Sequence, residues 1–241
     1  MEVLGDEVGF RPDGLGVDPD YLDRAVNEWD LCATEEALQI RERLGEGEVV
    51  VVTVGDEETE AALRRCLAMG ADRAIRIEAD VADPIAVARV LAEEIGPLEA
   101  DLVFCGVQSS DSVQAATGTA LAELLDLPRV AVVTKIDYDH GGRRATVHRE
   151  LEGGIVDVVE VDTPAVLTIQ TGINQPRYAT LRAIKQAEQV EIAVQKGDSG
   201  EPGYRVRRMF APPKGEGAQL LDGGPAAVAA RIAELVRERL A

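Results

Sequence analysis

Over 241 residues, 44 Asp and Glu stand against 25 Lys and Arg, and the resulting net charge of −19 disfavours nucleic acid or an anionic membrane surface as a partner. Hydrophobic residues make up 46% of the chain, enough to bury one full core in a single domain or one and a half. No apolar run approaches the roughly 18 residues a membrane helix needs, and the N-terminus lacks the charged-then-apolar layout of a secretory signal, so the expected location is cytoplasmic, without membrane insertion.

Cys32, Cys66 and Cys105 are widely spaced within helix or strand patterns and read as reduced core thiols. His140 and His148 have no Cys or carboxylate at ligand spacing, so no metal site is expected. Only four lysines occur (Lys135, Lys185, Lys196 and Lys214), and an acidic, lysine-poor chain of normal apolar content points to a salt-rich cytosol that screens self-repulsion. The expected result is a thermal unfolding midpoint that rises between dilute and multi-molar KCl; a flat trend would exclude that habitat.

Taken in order, residues 1–29 are rich in Gly, Pro and Asp and predict loop or a short edge ribbon. A helix is expected from Asp30 to Leu44, with Ala33, Ala37, Ile40 and Leu44 as its apolar stripe and Gly45 or Gly47 as its stop. Residues 48–54 (EVVVVTV) form a β-branched run typical of a strand covered on both faces. A helix over residues 57–69 and a strand over residues 73–77 follow. Asp83 and Pro84 supply an N-cap and a first-turn proline for a helix reaching Gly96.

The centre of the chain is residues 100–128. A short apolar strand, Leu102 to Cys105, is broken by Gly106 and followed by small polar residues 108–112. A helical pattern then carries Ala116, Ala120, Leu121, Leu124 and Leu125. Strand, small-residue turn and helix together aim backbone N–H groups and a helix N-terminus at an anion such as a nucleotide phosphate, although any strand–helix unit carries such a turn. Another buried strand is predicted over residues 130–133. Hairpin patterns follow over residues 136–151 and 155–161, and a strand over residues 165–169 rejoins the sheet.

The expected fold is therefore α/β, a doubly wound, mostly parallel sheet whose ligands bind at the carboxyl ends of the strands. An antiparallel hairpin insert occupies residues 135–162 of a nucleotide-binding domain over residues 1–194. A short helix begins at Leu181. Residues 195–241 read as an extended C-terminal arm without a core-forming pattern until Pro225 starts a terminal helix, an arm of the kind that reaches a partner.

Four segments resemble a known family, the β subunit of electron transfer flavoprotein. Residues 66–74 (CLAMGADRA) are similar to its ALAMGADR segment, and residues 103–124 to its GxQxxDxxxxxxG loop and helix. Residues 149–154 (RELEGG) resemble its REIDGG turn, and residues 174–181 (NQPRYATL) its NEPRYATL segment. The resemblance spans most of the chain. It implies an adenine-nucleotide alpha-hydrolase-like fold and an electron carrier, not an enzyme. FAD would be held mainly with the α subunit, and AMP or a second FAD in this subunit. Electrons would arrive from flavin dehydrogenases such as acyl-CoA dehydrogenases and leave to a membrane quinone oxidoreductase.

Carried over residue by residue, the resemblance places Asn27, Glu28, Trp29 and Asp30 at the nucleotide and Val54 and Gly55 beside the adenosine. It places Gly106, Gln108, Asp111, Thr117 and Gly118 in the phosphate loop, with Asp111 capping the helix from Ser112 or Val113, or accepting a ribose hydroxyl. Ala115 and Ala116 stand where family members often carry Asn and Gln, so two amide donors are missing from that loop. Leu181 matches an anchoring leucine presented to acyl-CoA dehydrogenases, followed here by AIKQAEQVE in place of a lysine-rich run. The family also opens with an apolar strand of the kind KxLVxVK, expected at the centre of the sheet. Residues 1–4 (MEVL) fall after that point, so the expectation is a start assigned too late, the alternative being a copy that folds imperfectly. Two other classes, a nucleotide-hydrolysing or adenylating enzyme and a stress-type nucleotide-binding module, are opposed by the lack of a GxxxxGK[ST] or SGGxDS pattern and by the hairpin and arm.

Overall fold

The computed structural model of the chain describes residues 2–3, 8–23, 25–81, 83–211, 213, 217, 218 and 220–240. The chain divides at Met209 into two compact units. In the first, the expected N-terminal ribbon is β1 (Glu2–Val3) paired antiparallel with β2 (Leu22–Asp23). Then α1 (Glu28–Leu44), β3 (Val50–Val54), α2 (Glu60–Met69), β4 (Arg73–Glu78), α3 (Pro84–Ile95), β5 (Leu102–Gly106) and α4 (Thr117–Leu124) alternate as the hydrophobic pattern predicts. The Asp83 carboxylate accepts the N–H groups of Ile85 and Ala86 at 2.9 and 2.8 Å, the cap expected ahead of Pro84. Gly45 ends α1 in the left-handed region, at φ 75°.

The second half is antiparallel at its outer side. β6 (Arg129–Asp139), β7 (Arg144–Leu151) and β8 (Ile155–Asp162) form a meander, and β9 (Ala165–Ile169) returns between β5 and β6, parallel to both. The pattern suggests separate strands over residues 130–133 and 136–138, but β6 is continuous. It pairs parallel with β9 first and antiparallel with β7 afterwards, and the register shifts at a bulge between Val130 and Val133. At that bulge Val132 has φ 61° and donates its N–H to Thr168 Oγ1 at 3.1 Å. The polar pair Thr134-Lys135 hides this continuity from a reading of hydrophobic runs. The hairpins share the main core: Val147 and Val161 pack in one cluster with Cys32 and Ile40 of α1 and Leu167 of β9.

After α5 (Leu181–Ala187), β10 (Ala193–Lys196) adds parallel to β4, with Gln195 opposite Ile77. Gly197 N–H continues to Glu78 O at 3.1 Å, Arg89 donates to Ser199 O at 2.6 Å, and Gly203 N–H donates to the Asp83 carboxylate at 2.6 Å. The stretch from residue 195 that composition marks as arm is thus stitched to β4 and α3, because backbone pairing needs no apolar pattern. The second unit, Phe210–Ala241, contains α6 (Pro225–Leu240), whose Ile232, Val236 and Leu240 are exposed.

Besides the two-stranded β1–β2 ribbon, the described strands form two sheets, with orders β10-β4-β3 and β5-β9-β6-β7-β8. Every residue of β9 is buried, as a strand with neighbours on both edges and cover on both faces requires. The run 50–54 promises the same but is only half-buried throughout, because β3 pairs with β4 alone among the described strands.

α4 rests on β5 and β9 through Gly118. A Cβ there would lie 2.5 Å from Cys105 Sγ and 2.6 Å from Thr168 Cγ2, and Thr168 is β-branched and held by its bond to Val132. Gly118→Ala is expected to cost about 1–3 kcal/mol by overpacking, visible as a lowered midpoint in thermal unfolding. An unchanged midpoint would contradict this packing.

Candidate functional site

The carboxyl end of β5 and the start of α1 are tied together by a small polar network. Asp30 accepts the Gly106 N–H on Oδ1 at 2.6 Å and the Asn27 side-chain amide on Oδ2 at 2.8 Å. The same Asn27 amide donates to Gln108 O at 2.7 Å, and Val107 N–H donates to Ile169 O at 3.1 Å. Asp30 keeps some exposure as a residue, but its carboxyl lies deep behind Gly106. Burial raises its pKa against the opposing hydrogen bonds from Asn27 and Gly106. Burial, with Asp30 adding to it, also pushes the neighbouring Cys105 thiol up to about 12, so that sulfur is unreactive at neutral pH. Cys32 and Cys66 are likewise free, buried thiols.

Gly106 is where the two segments touch. A Cβ on it would meet Trp29 Cβ at 2.6 Å and both the N and Oδ1 of Asp30 at 3.1 Å. Its small size therefore serves the approach of α1, and its N–H, expected to face an anion, is already bonded to Asp30. Trp29 turns to the other side, its indole N–H donating to Gln170 Oε1 at 2.7 Å. Gln170 lies 141 residues from Trp29, and no sequence signal links them.

Between β5 and α4 runs a loop over residues 107–116. Ser109 and Ser112 share a hydroxyl hydrogen bond of 2.8 Å, and Asp111 Oδ1 accepts the Ser112 N–H at 2.6 Å. The expectation that Asp111 caps the helix is corrected here. α4 begins at Thr117, and Asp111 closes the turn at 109–112 instead, because the residues after it leave the helical region. Val113 at φ 53° and Ala115 at φ 49° sit in the left-handed region, a strained choice for a β-branched residue and one that concentrates at ligand-binding loops. No side chain caps α4, whose first backbone bond runs from Ala120 N–H to Ala116 O. The N–H groups of its first turn therefore have no helical partner.

One cavity of about 1000 Å³ opens at this edge. Of the residues singled out by sequence, Asn27, Asp30, Val54, Gly106 and Gln108 line it, together with Ala115, Ala116, Thr117 and Gly118. Glu28, Trp29, Gly55 and Asp111 are not part of its lining. Glu28 is exposed, and Gly55 donates its N–H to Ile77 O at 2.9 Å. The buried Asn27 Oδ1 has no hydrogen-bond partner among the described residues. A buried acceptor in that state costs about 1–3 kcal/mol, so a donor supplied at the cavity mouth would be favoured.

Away from the cavity, residues 174–177 lie against α1. Asn174 donates to Cys32 O and Glu36 Oε2, both at 3.0 Å, and Arg177 grips Glu35 (2.8 and 3.0 Å) and Glu42 (2.6 and 3.1 Å). Thr180 then caps α5 by accepting the Ala183 N–H at 3.2 Å, and Leu181 projects with 81% of its surface exposed. Among the described residues, no group of three or more His, Cys, Asp or Glu is placed to hold a metal ion, and no helix is long and apolar enough to cross a membrane.

Residues 14–198 match the electron transfer flavoprotein domain family. The chain is 45% identical to the electron transfer flavoprotein subunit beta of Methylophilus methylotrophus, over 98% of this chain and 94% of that one. It is 34% identical to the subunit of the same name from Bacillus subtilis, over 92% and 89% of the two chains. With the subunit from Mus musculus it shares 35% identity over 80% and 77%.

Proposed function

The chain belongs to the electron transfer flavoprotein family, as a β subunit, and on that premise we propose that it holds an adenine nucleotide while its α-subunit partner carries the redox-active flavin. Members of this family are electron transfer proteins, not enzymes. When bound, FAD supplies the electron-accepting and electron-donating chemistry of the pair. The nucleotide of this subunit is AMP or a second FAD.

The observation that carries the reading is the cavity mouth between Asn27 and the uncapped start of α4. An adenine nucleotide fits the residues present. The first-turn N–H groups of α4 and the Thr117 hydroxyl suit an anionic phosphate. Asn27 Oδ1 would accept a ribose hydroxyl or amino hydrogen, and Val54 offers apolar contact. Ala115 and Ala116 have no side-chain donor, so phosphate contacts fall to backbone groups.

The test is co-expression with the α subunit, followed by extraction and mass identification of bound nucleotides. One adenine nucleotide for each copy of this chain, beyond the flavin of the α subunit, is the expected result, and its mass decides between AMP and FAD. A complex whose only nucleotide belongs to the α subunit would overturn the reading.

We further propose that electrons reach the pair from flavin dehydrogenases such as acyl-CoA dehydrogenases and leave to a quinone oxidoreductase, with Leu181 as an anchor for the dehydrogenase. Leu181→Ala is expected to stay within about 0.5 kcal/mol of the parent in stability while lowering kcat/KM of a coupled dehydrogenase assay by about tenfold or more. Equal coupling rates would remove Leu181 from the docking surface. The exposed stripe Ile232, Val236 and Leu240 on α6 suits docking on the α subunit by the mode of an amphipathic helix in a groove.

A further inference from the structure

α5 is a short helix with little packing to hold it. It spans seven residues, of which only Ala187 is buried, while Leu181 and Ile184 stay exposed. A helix of that length does not persist on propensity alone, so its two ends decide whether it forms. At the first end Thr180 accepts the Ala183 N–H at 3.2 Å, and Arg177 ties the residues before it to Glu35 and Glu42 of α1. At the second end the last carbonyls need donors from elsewhere.

The donor comes from α2. Arg64 places Nη1 2.9 Å from Ala187 O, 3.3 Å from Glu188 O and 3.2 Å from Val190 O, across 123 to 126 residues of sequence. One guanidinium thus gathers the last carbonyls of α5 and of the turn that follows, at the end where the helix dipole favours a cation. Arg64 is itself oriented. Its Nη2 lies 3.5 Å from Glu60 Oε2, one turn earlier on α2, and Glu60 Oε1 accepts Arg76 Nε at 3.1 Å. Arg76, buried on β4, also donates to Gly55 O at 3.2 Å. The clamp is therefore braced on β4 and on the turn after β3. Beside it, Ala187 and Ile192 pack in one cluster with Leu63 and Leu67 of α2.

We propose that Arg64 is a positioning residue for partner recognition, which keeps residues 181–190 in the helical form that presents Leu181. The inference rests on the docking role proposed for Leu181 and deepens it. Arg64 acts through α5: the hollow at Leu181 is lined by Leu181, Arg182, Lys185, Gln186 and Gln189, without Arg64. A partner that binds only the helical form binds more weakly in proportion to the time that form is lost. Losing the clamp therefore raises the concentration needed for docking and leaves electron transfer in the docked complex as it was. KM rises and kcat holds.

The experiment uses the complex with the α subunit in four forms: parent, Arg64→Met, Arg64→Lys and Leu181→Ala. Hydrogen exchange read by mass spectrometry on peptides covering residues 181–190 reports on α5, with residues 165–169 as the control for the fold. A coupled assay with an acyl-CoA dehydrogenase, the complex being the varied substrate, gives KM and kcat. Arg64→Met is expected to speed exchange in residues 181–190 by about tenfold, with parental rates in residues 165–169. It should raise KM by about fivefold or more while kcat stays within about twofold. Arg64→Lys, which keeps the charge but not the planar fork, should fall between. Parental exchange in Arg64→Met, faster exchange with an unchanged KM, or a fall in kcat alone overturns the proposal. If residues 165–169 also lose protection in Arg64→Met, the same two readouts on Arg64→Lys decide. Leu181→Ala keeps the two readings apart. A raised KM there beside a parental KM in Arg64→Met removes the positioning role alone, whereas a parental KM in Leu181→Ala removes the docking role and the positioning role with it.

Discussion

Gly106→Val is expected to lower stability by about 3 kcal/mol, near the upper end for overpacking, and to empty the complex of the adenine nucleotide proposed for this chain. The added atoms would meet Trp29 Cβ and the backbone nitrogen of Asp30, neither of which can rotate away. Moving α1 would break the 2.6 Å bond from Gly106 N–H to Asp30 and the link from Asn27 to Gln108, so the mouth of the cavity changes shape with the fold. At about 2–4 °C per kcal/mol for a chain of this size, the midpoint should fall by about 6–12 °C. Gly106→Ala should fall between the parent and the valine variant. Differential scanning calorimetry and nucleotide content of the purified complex check both parts. A valine variant that melts with the parent would show that β5 and α1 do not depend on the missing Cβ.

Arg177→Ala is expected to cost about 3 kcal/mol at neutral pH, because removing one partner leaves a buried charge uncompensated. Glu35 retains only 3% of its surface and bonds Arg177 through the guanidinium and the Arg177 N–H. Burial pushes the Glu35 pKa up, but the hydrogen bonds from Arg177 and Gln39 outweigh it and hold the carboxyl below its ordinary 4.5. Glu42 is likewise lowered, chiefly by its hydrogen bonds to Arg177. A depressed carboxylate pKa contributes stability that is present above the unfolded value and lost as pH falls through the folded one. The gap between parent and variant should therefore be widest at pH 7 and close as pH drops below about 4. Urea denaturation at the two pH values measures it, and Arg177→Lys should recover part, since lysine keeps the charge but not the fork. Equal stabilities at pH 7 would show that water already screens Glu35. Under the docking proposed for Leu181, a loss at Arg177 should also weaken dehydrogenase coupling, because residues 174–177 hold the segment that presents Leu181.

The acidic excess, the order of strands and helices from residue 30 to residue 134, the Asp83-Pro84 start of α3 and the hairpin patterns over residues 136–161 were legible in residue order alone. Each depends on local chemistry: β-branched runs, 3.6-residue spacing, cap and turn residues within four positions of what they satisfy. The candidate site was legible in part. Gly106, Ala116, Thr117 and Gly118 follow a strand in sequence and stay beside its end in space. What Gly106 does there was not legible, since its N–H is claimed by Asp30, 76 residues earlier. Nor was the late start of α4, because left-handed backbone at Val113 and Ala115 leaves no mark in hydrophobicity. Tertiary structure alone decided that residues 129–139 form one strand with two kinds of partner, that 193–196 belong beside β4, and that β3 and β5 each have a single strand partner among the described residues. Periodicity records how a residue is covered above and below, whereas strand pairing is made by backbone groups common to every residue. The sequence therefore determines which segments are strands, and only the assembled sheet determines who stands beside whom.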